Sequence, residues 1–204
     1  MKIKDEATEK KVMAGKGFFK NITFIFILSL VFVFSSHASD YSLKEALKVI
    51  NVLEKIEASQ HLEGRNTLRK IVISESELNS WIAYRIETEK EEVMKELKLK
   101  FFEENKIEGK IFIDLRDQNI PKILRPEMSF YFEGKLQIDK GRVKFNLKKL
   151  FLEEQQINPL VLDLIIQISA AIQNFEASSI YGWYELPYGI KNIETHLGQT
   201  FLFY

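Results

Sequence analysis

The side chains that most often carry chemistry are sparse in this sequence. It has no cysteine and three histidines, and His61 and His196 are far apart, without a second histidine three or four positions away. A metal site generally needs several His, Cys or carboxylate ligands that converge on one point. We therefore expect no metal site and no cofactor, with His61 on the surface after a helix and His196 in a turn near Gly198.

Nucleophilic catalysis also lacks its usual sequence signatures. The chain has no G-x-S-x-G motif, no cysteine nucleophile and no glycine-rich phosphate loop. Ser179, His196 and an aspartate would supply the residue types of a catalytic triad, but a triad is defined by geometry rather than by composition. The carboxylate pair Glu153-Glu154 is more typical of a solvated surface than of acid–base catalysis. The sequence thus predicts a protein that is not an enzyme.

A richer pattern is made of aromatic and aliphatic residues. Residues 97–113 and 128–147 alternate apolar with polar positions, which predicts two β-hairpins with one apolar face each. Leu160–Phe175 is apolar on nearly every side, so as a helix it must be covered on several sides. These surfaces either enclose a groove for a long apolar molecule or form an ordinary filled core. The candidate groove residues are Leu99, Phe101, Ile111, Phe130, Phe132, Leu136, Phe145, Leu164, Ile165 and Ile168.

Two helices are predicted ahead of the hairpins. Tyr41–Gln60 and the segment after Ser74 repeat apolar residues at helical spacing. Ser42 with Glu45, and Ser74 with Glu77, have the spacing of a capping box. Each pair predicts a helix that begins just after its serine.

Helices followed by antiparallel strands indicate an α+β fold. We expect a curved antiparallel sheet of hairpins packed on the apolar helix, after the two N-terminal helices. Asn158-Pro159 predicts the start of the apolar helix. Thr67–Ile73 reads as a short strand, Gln118–Pro126 as a connection, and Gly198 as the turn before a last strand, Thr200–Tyr204.

The N-terminal residues have the organisation of a secretory signal peptide. Lysines precede an apolar run from Ile22 to Phe34, and the small residues Ser36 and Ala38 precede a candidate cut before Ser39. The run is shorter than the roughly 20 apolar residues of a membrane-spanning helix. We expect residues 1–38 to be a signal peptide, or else an uncleaved anchor, with the true start of the chain at Met1 or at Met13. Residues 39–204 then form a single α+β domain outside the cytoplasm, periplasmic or secreted.

Charge and composition narrow the possible partners. The chain has 29 basic and 29 acidic residues, and the lysine-rich start leaves the remainder slightly acidic. We therefore expect no nucleic-acid partner, since such proteins generally need a clustered basic surface. The lysines on the polar face of the hairpins either make peripheral contact with acidic lipid headgroups or, with Glu108 and Glu133, form an ordinary soluble face. The aromatic residues from Tyr181 to Tyr188 form either the rim of a binding site or a loop folded over the core.

Several segments resemble small exported proteins of bacterial envelopes. The stretch from Ile71 to Ile82, with Ser74-Glu75-Ser76-Glu77-Leu78-Asn79, is similar to the strand-to-helix opening of the LmeA-like and YpmS-like families. Glu133–Gly141, Ile157–Leu160 and Leu186–Lys191 resemble further segments of these lipid-binding-like proteins. The resemblance spans roughly Ile71 to Tyr204 and implies a curved sheet around a helix, with an apolar groove for a lipid.

Two functional hypotheses remain at this point. The first is an exported, non-catalytic envelope protein that binds a lipid or other long apolar ligand between the sheet and the helix. The second is an envelope structural or assembly protein with a filled core, which acts through contacts with protein partners. A concave apolar cavity would favour the first hypothesis, and a tightly filled interface would favour the second.

Overall fold

The computed structural model describes residues 41–60, 68–89, 93–117, 125–172 and 179–204. These residues form an α+β fold of three α-helices and two antiparallel sheets. Residues 1–38, His61 and most of the Gln118–Pro126 connection lie outside the described residues. Among those that are described, no helix has the length and apolar character needed to cross a membrane. The helices and strands are α1 (Leu43–Gln60), β1 (Lys70–Ser74), α2 (Glu75–Thr88), β2 (Met94–Phe101), β3 (Lys106–Asp114), β4 (Glu127–Asp139), β5 (Arg142–Leu152), β6 (Gln155–Gln156), α3 (Leu160–Ile172), β7 (Tyr184–Glu185), β8 (Asn192–His196) and β9 (Gln199–Phe203).

The two predicted capping boxes have different outcomes. At α2 the box is confirmed, because Ser74 Oγ accepts from the Glu77 N–H at 3.2 Å and Glu77 Oε2 accepts from the Ser74 N–H at 2.9 Å. At α1 only half of the box forms, with the Glu45 N–H donating to Ser42 Oγ at 3.4 Å. The Glu45 carboxylate instead accepts from Ser76 Oγ at 2.6 Å. Glu45 therefore ties α1 to α2, and the prediction of a full box at Ser42 was wrong.

The larger sheet is curled and has the strand order β2-β3-β4-β5-β6, with β7 paired to β5. The two predicted hairpins, β2–β3 and β4–β5, are both present. Strand β5 continues to Leu152 because a bulge shifts its register: Glu133 pairs with Lys149, but the neighbouring Gly134 pairs with Leu147. The extra residue leaves two consecutive exposed lysines and returns Leu150 to the buried face.

The smaller sheet has the order β1-β9-β8, so the first strand pairs with the last. The predicted turn at Gly198, with φ +71°, connects β8 to β9. Several hydrogen bonds join this sheet to the β2–β3 hairpin. The Thr195 N–H donates to Asn105 Oδ1 at 2.8 Å, Thr195 Oγ1 donates to the Phe102 carbonyl at 2.7 Å, and the Gly198 N–H donates to the Phe101 carbonyl at 3.1 Å.

The outer face of the larger sheet carries paired charges of both signs. Glu96 lies 2.7 Å from Lys110 Nζ, and Glu133 lies 3.1 Å from Lys149 Nζ. Glu133 also pairs with Lys106 across the β3–β4 register. Neighbouring glutamates therefore neutralise several of the lysines on this face, which is the arrangement of a mixed, solvated surface.

Helix α3 begins just after Asn158-Pro159, as predicted, and the Leu160 N–H donates to Asn158 Oδ1 at 3.0 Å. Ile165 and Ile166 on its inner side are buried. Leu160 and Leu164, one turn apart, stay exposed on its outer side. The described part of this helix is therefore covered on its inner side and open at Leu160 and Leu164.

Candidate functional site

An apolar cavity of about 160 Å³ lies between the two sheets and the helices α1 and α2. Its floor is the inner face of the larger sheet, where strand alternation brings Leu97, Leu99 and Phe101 to one side. Opposite walls come from Val49 on α1 and Trp81 on α2. The smaller sheet adds apolar residues such as Ile193 and Leu202.

The cavity floor depends on two glycines in the strands. A Cβ built on Gly109 would stand 2.2 Å from Phe132 Cζ, and one built on Gly134 would stand 2.5 Å from Phe145 Cζ. The two phenylalanine rings therefore occupy the space above the glycines. They also meet edge to face, with their centroids 5.6 Å apart. A glycine inside a strand marks such a close approach, and this signal in the sequence was missed.

The structure divides the ten predicted groove residues into two groups. The six from the sheet's inner face that line the cavity are Leu99, Phe101, Ile111, Phe132, Leu136 and Phe145. Four others do not line it: Phe130 and Ile165 are fully buried elsewhere, Ile168 is half-buried, and Leu164 is 51% exposed.

Sequence reasoning expected the most apolar helix, α3, to form the helical wall of the cavity, but α1 and α2 contribute most of that wall. Helix α3 contributes Leu162 to the lining, a residue not predicted there. The helices α1 and α2 contribute Val49, Leu53, Leu78 and Trp81. Their apolar stripes were visible in the sequence, but α3 is more apolar and was preferred for that reason. Whether the apolar face of a helix lines the cavity depends on which face of the sheet the helix packs against, and the order of the elements along the chain decides this.

The cavity lining is charged beside the C-terminal end of α2. The Arg85 side chain lines the cavity, is 22% exposed, and forms an ion pair with Glu89 at the end of α2. The Arg85 guanidinium lies 5.6 Å from the ring of Trp81. Burial outweighs the attraction of Arg85 and raises the pKa of the Glu89 carboxyl. This end therefore combines a cation with an incompletely stabilised carboxylate.

Tyr188 lies near the same end of α2, in a turn with unusual backbone geometry. It lines the cavity and has φ +55°, followed by Gly189 at φ +70°. A Cβ on Gly189 would meet the side chain of Gln60 at 2.6 Å, so this turn packs closely against α1. Burial raises the pKa of the Tyr188 hydroxyl, to which Glu57 and Glu89 also contribute. A non-glycine residue held in this conformation is costly, so the surrounding contacts must impose it.

The aromatic side chains between Tyr181 and Tyr188, predicted to form one cluster, lie in different environments. Tyr184 is buried and its hydroxyl donates to the Ser179 carbonyl. Trp183 is exposed, with the Arg142 guanidinium 5.5 Å from its ring. Of the cluster, Tyr188 lines the cavity.

The remaining chemistry-bearing residues have structural contacts. His196 lies at the end of β8 beside Gly198, with its Nδ1 2.8 Å from Glu103 Oε2 and its ring 4.7 Å from that of Phe201. Ser179 Oγ accepts from the Tyr181 N–H at 3.2 Å. Within the described parts of the chain, no three His, Cys, Asp or Glu side chains are grouped as metal ligands would be.

This arrangement can exclude water from an apolar molecule and hold a polar group beside the C-terminal end of α2. No protein-family model matches the chain, and no curated protein or solved structure shows significant similarity to it.

Proposed function

We propose that this chain is an exported, non-catalytic protein of the cell envelope that binds a lipid or another apolar molecule in the cavity between its sheets and helices. The observation that carries the proposal is the cavity itself. It has a volume of about 160 Å³ and is lined almost entirely by apolar side chains. A well-packed domain rarely leaves such a void, since interiors approach the density of organic crystals. Hydrocarbon that enters it is stabilised by roughly 0.8 kcal/mol for each buried methylene.

The size of the cavity supports a small apolar ligand or part of a larger one. An engineered protein cavity of about 150 Å³ stays dry and binds benzene. A space of about 160 Å³ lined by leucine, isoleucine and phenylalanine is of the same kind. The occupant we propose is therefore apolar where it meets the sheet.

Export is the second part of the proposal and rests on the N-terminal residues. Lysines, an apolar run from Ile22 to Phe34 and small residues before Ser39 have the order of a cleaved signal peptide. A protein in the envelope would work beside membrane lipids, which are abundant apolar ligands. Expression in a bacterial host, fractionation and N-terminal sequencing of the recovered protein test this part. Recovery from the cytoplasm with an intact N-terminus would contradict it.

Binding is tested by filling the cavity. Val49→Phe places a ring where a fully buried α1 side chain lines the space, and Val72→Phe makes the same change at an exposed position of β1. We expect an environment-sensitive acyl probe to bind the unmodified protein and Val72→Phe equally. Val49→Phe should bind it at least about tenfold more weakly, a loss of ~1.4 kcal/mol.

Native mass spectrometry of the protein purified from the envelope provides an independent measurement. A bound lipid or apolar metabolite that is lost in Val49→Phe supports the proposal. If no apolar molecule co-purifies and no acyl probe binds, the protein is instead a structural or assembly component that acts through its surface.

A further inference from the structure

The cavity lining carries a positive charge beside the C-terminal end of α2, and this charge bears on which ligands can bind. Arg85 is the one basic side chain among the described residues that line the cavity, and the rest of the lining is nearly all apolar. Its guanidinium is mostly covered, close to Trp81 and paired with Glu89. The ion pair with Glu89 meets the general need of a buried charge for a partner, and a guanidinium with five N–H donors can hold more than one anionic group.

We propose that the cavity holds about six carbons of a single hydrocarbon chain, and that the anionic headgroup of this chain is held by Arg85. This inference rests on the proposed function, because it names the class of ligand for the same cavity. The chain length follows from the comparison of about 160 Å³ with the space that holds a benzene ring. The negative charge of the headgroup is inferred from the positive charge of Arg85 in the cavity lining.

Arginine suits this role because of the geometry of its side chain. The guanidinium presents five N–H donors in a planar fork, so it can hold a carboxylate or phosphate oxygen pair while it keeps a second partner. Burial of about three quarters of the Arg85 side chain strengthens a charge-assisted hydrogen bond formed there. The Trp81 ring on the same helix limits the positions that the guanidinium can take.

The acidic residues nearby bear on the same proposal. Glu89 is 33% exposed and lies at the C-terminal end of α2, so it can turn toward water when a ligand anion pairs with Arg85. Glu57 on α1 is exposed, and solvent and salt screen its charge. Tyr188 is neutral near pH 7, as a tyrosine with its ordinary pKa of 10.0 would be, and burial raises this pKa further. Its hydroxyl adds a hydrogen-bonding group at this end.

The test compares ligands that differ in headgroup alone. Sodium n-alkanoates and n-alkan-1-ols from four to twelve carbons are titrated into the full-length protein by calorimetry, below their aggregation concentrations. We expect each added methylene to tighten binding about fourfold up to about six carbons, with little gain beyond. We expect hexanoate to bind about tenfold or more tightly than hexan-1-ol.

Matched arginine variants localise the headgroup. Arg85→Met removes the charge at the cavity, and Arg142→Met removes an arginine that also lies near a tryptophan ring, outside the cavity lining. Arg85→Met should abolish the preference for hexanoate over hexan-1-ol, and Arg142→Met should keep it. The comparison of the two ligands on the unmodified protein stands even if Arg85→Met does not fold.

The outcomes separate this inference from the proposed function. Equal binding of hexanoate and hexan-1-ol to the unmodified protein would overturn the anionic headgroup and leave apolar binding intact. A steady rise in affinity to twelve carbons would overturn the short chain. Failure of every alkanoate and alcohol to bind would overturn the proposed function itself.

Discussion

The ring of Phe132 occupies the space where a side chain on Gly109 would stand, since a Cβ built on that glycine would lie 2.2 Å from Phe132 Cζ. The two residues face each other in the β3–β4 register. Gly109 costs backbone entropy in the middle of a strand, but it lets the phenylalanine ring lie close to the sheet. The pair therefore shapes the floor of the cavity.

Gly109→Ala should destabilise the protein by about 1–3 kcal/mol, because the added methyl group forces Phe132 or the backbone to move. Urea unfolding followed by tryptophan fluorescence measures the change. Phe132→Leu removes the obstructing ring, so Gly109→Ala should cost clearly less in that background. An equal cost in both backgrounds would show that the ring is not the cause.

The turn between β2 and β3 offers a test of the connection between the two sheets. Glu104 and Asn105 both have positive φ, at +58° and +59°. The Asn105 side chain accepts from the buried Thr195 N–H, whereas the Glu104 side chain forms an exposed ion pair with Lys135. Glycine relieves the backbone strain at either position, so the two substitutions differ in the side-chain contact that they remove.

Asn105→Gly should destabilise the protein by about 1–3 kcal/mol, because it leaves a buried donor without its acceptor. Glu104→Gly should leave the free energy of unfolding nearly unchanged. Thermal unfolding by circular dichroism measures both variants. If the two substitutions have the same effect, the link from Asn105 to Thr195 contributes nothing to stability.

The two helix N-termini should respond differently to loss of the capping serine. Ser74→Ala removes a complete capping box and should cost about 1 kcal/mol. Ser42→Ala removes one long hydrogen bond of 3.4 Å and should cost a few tenths of a kcal/mol. Chemical unfolding of the two variants checks the order, and a larger loss at Ser42 would contradict it.

Asp114 should give stability a measurable dependence on pH. Hydrogen bonds from Arg116 hold the pKa of this buried carboxyl below its ordinary value of 3.8. Since the folded-state pKa is lowered, the stabilisation is present above about pH 3.8 and is lost as the pH falls through the folded-state value.

Asp114→Asn should therefore lower the free energy of unfolding by on the order of 1–2 kcal/mol at pH 7. The difference from the unmodified protein should shrink steadily as the pH falls below 3.8. Asp139→Asn is the control, because Asp139 pairs with Arg142 on the surface and should contribute little. A difference that does not change with pH would show that the Asp114 charge is not responsible.

Much of the local structure could be predicted because its causes lie within a few residues. The α2 capping box needs Ser74 and Glu77 at the right spacing, and the Gly198 turn needs a residue that accepts positive φ. The β4–β5 hairpin follows from alternation on each side of Gly141. Each of these features was confirmed.

The errors arose where distant parts of the chain meet. Glu45 bonds to Ser76 rather than back to the start of α1, because α2 packs beside it. The bulge at Lys148 moves Leu150 to the inner face, so simple alternation placed the end of β5 too early. Leu164 was assigned to the groove because of its helix, yet it faces outward.

The sequence by itself determined which segments become helices and strands and which side of each is apolar, since period and capping are local properties. It also determined that the inner face of the larger sheet would be rich in leucine, isoleucine and phenylalanine. Only the tertiary structure decided that β1 pairs with β9, that α1 and α2 rather than α3 provide most of the helical wall, and that Arg85 lies at the edge of the space. Those outcomes depend on contacts between residues far apart in the chain. The way in which the helices and sheets pack together therefore decides whether their apolar faces fill the core or leave a cavity.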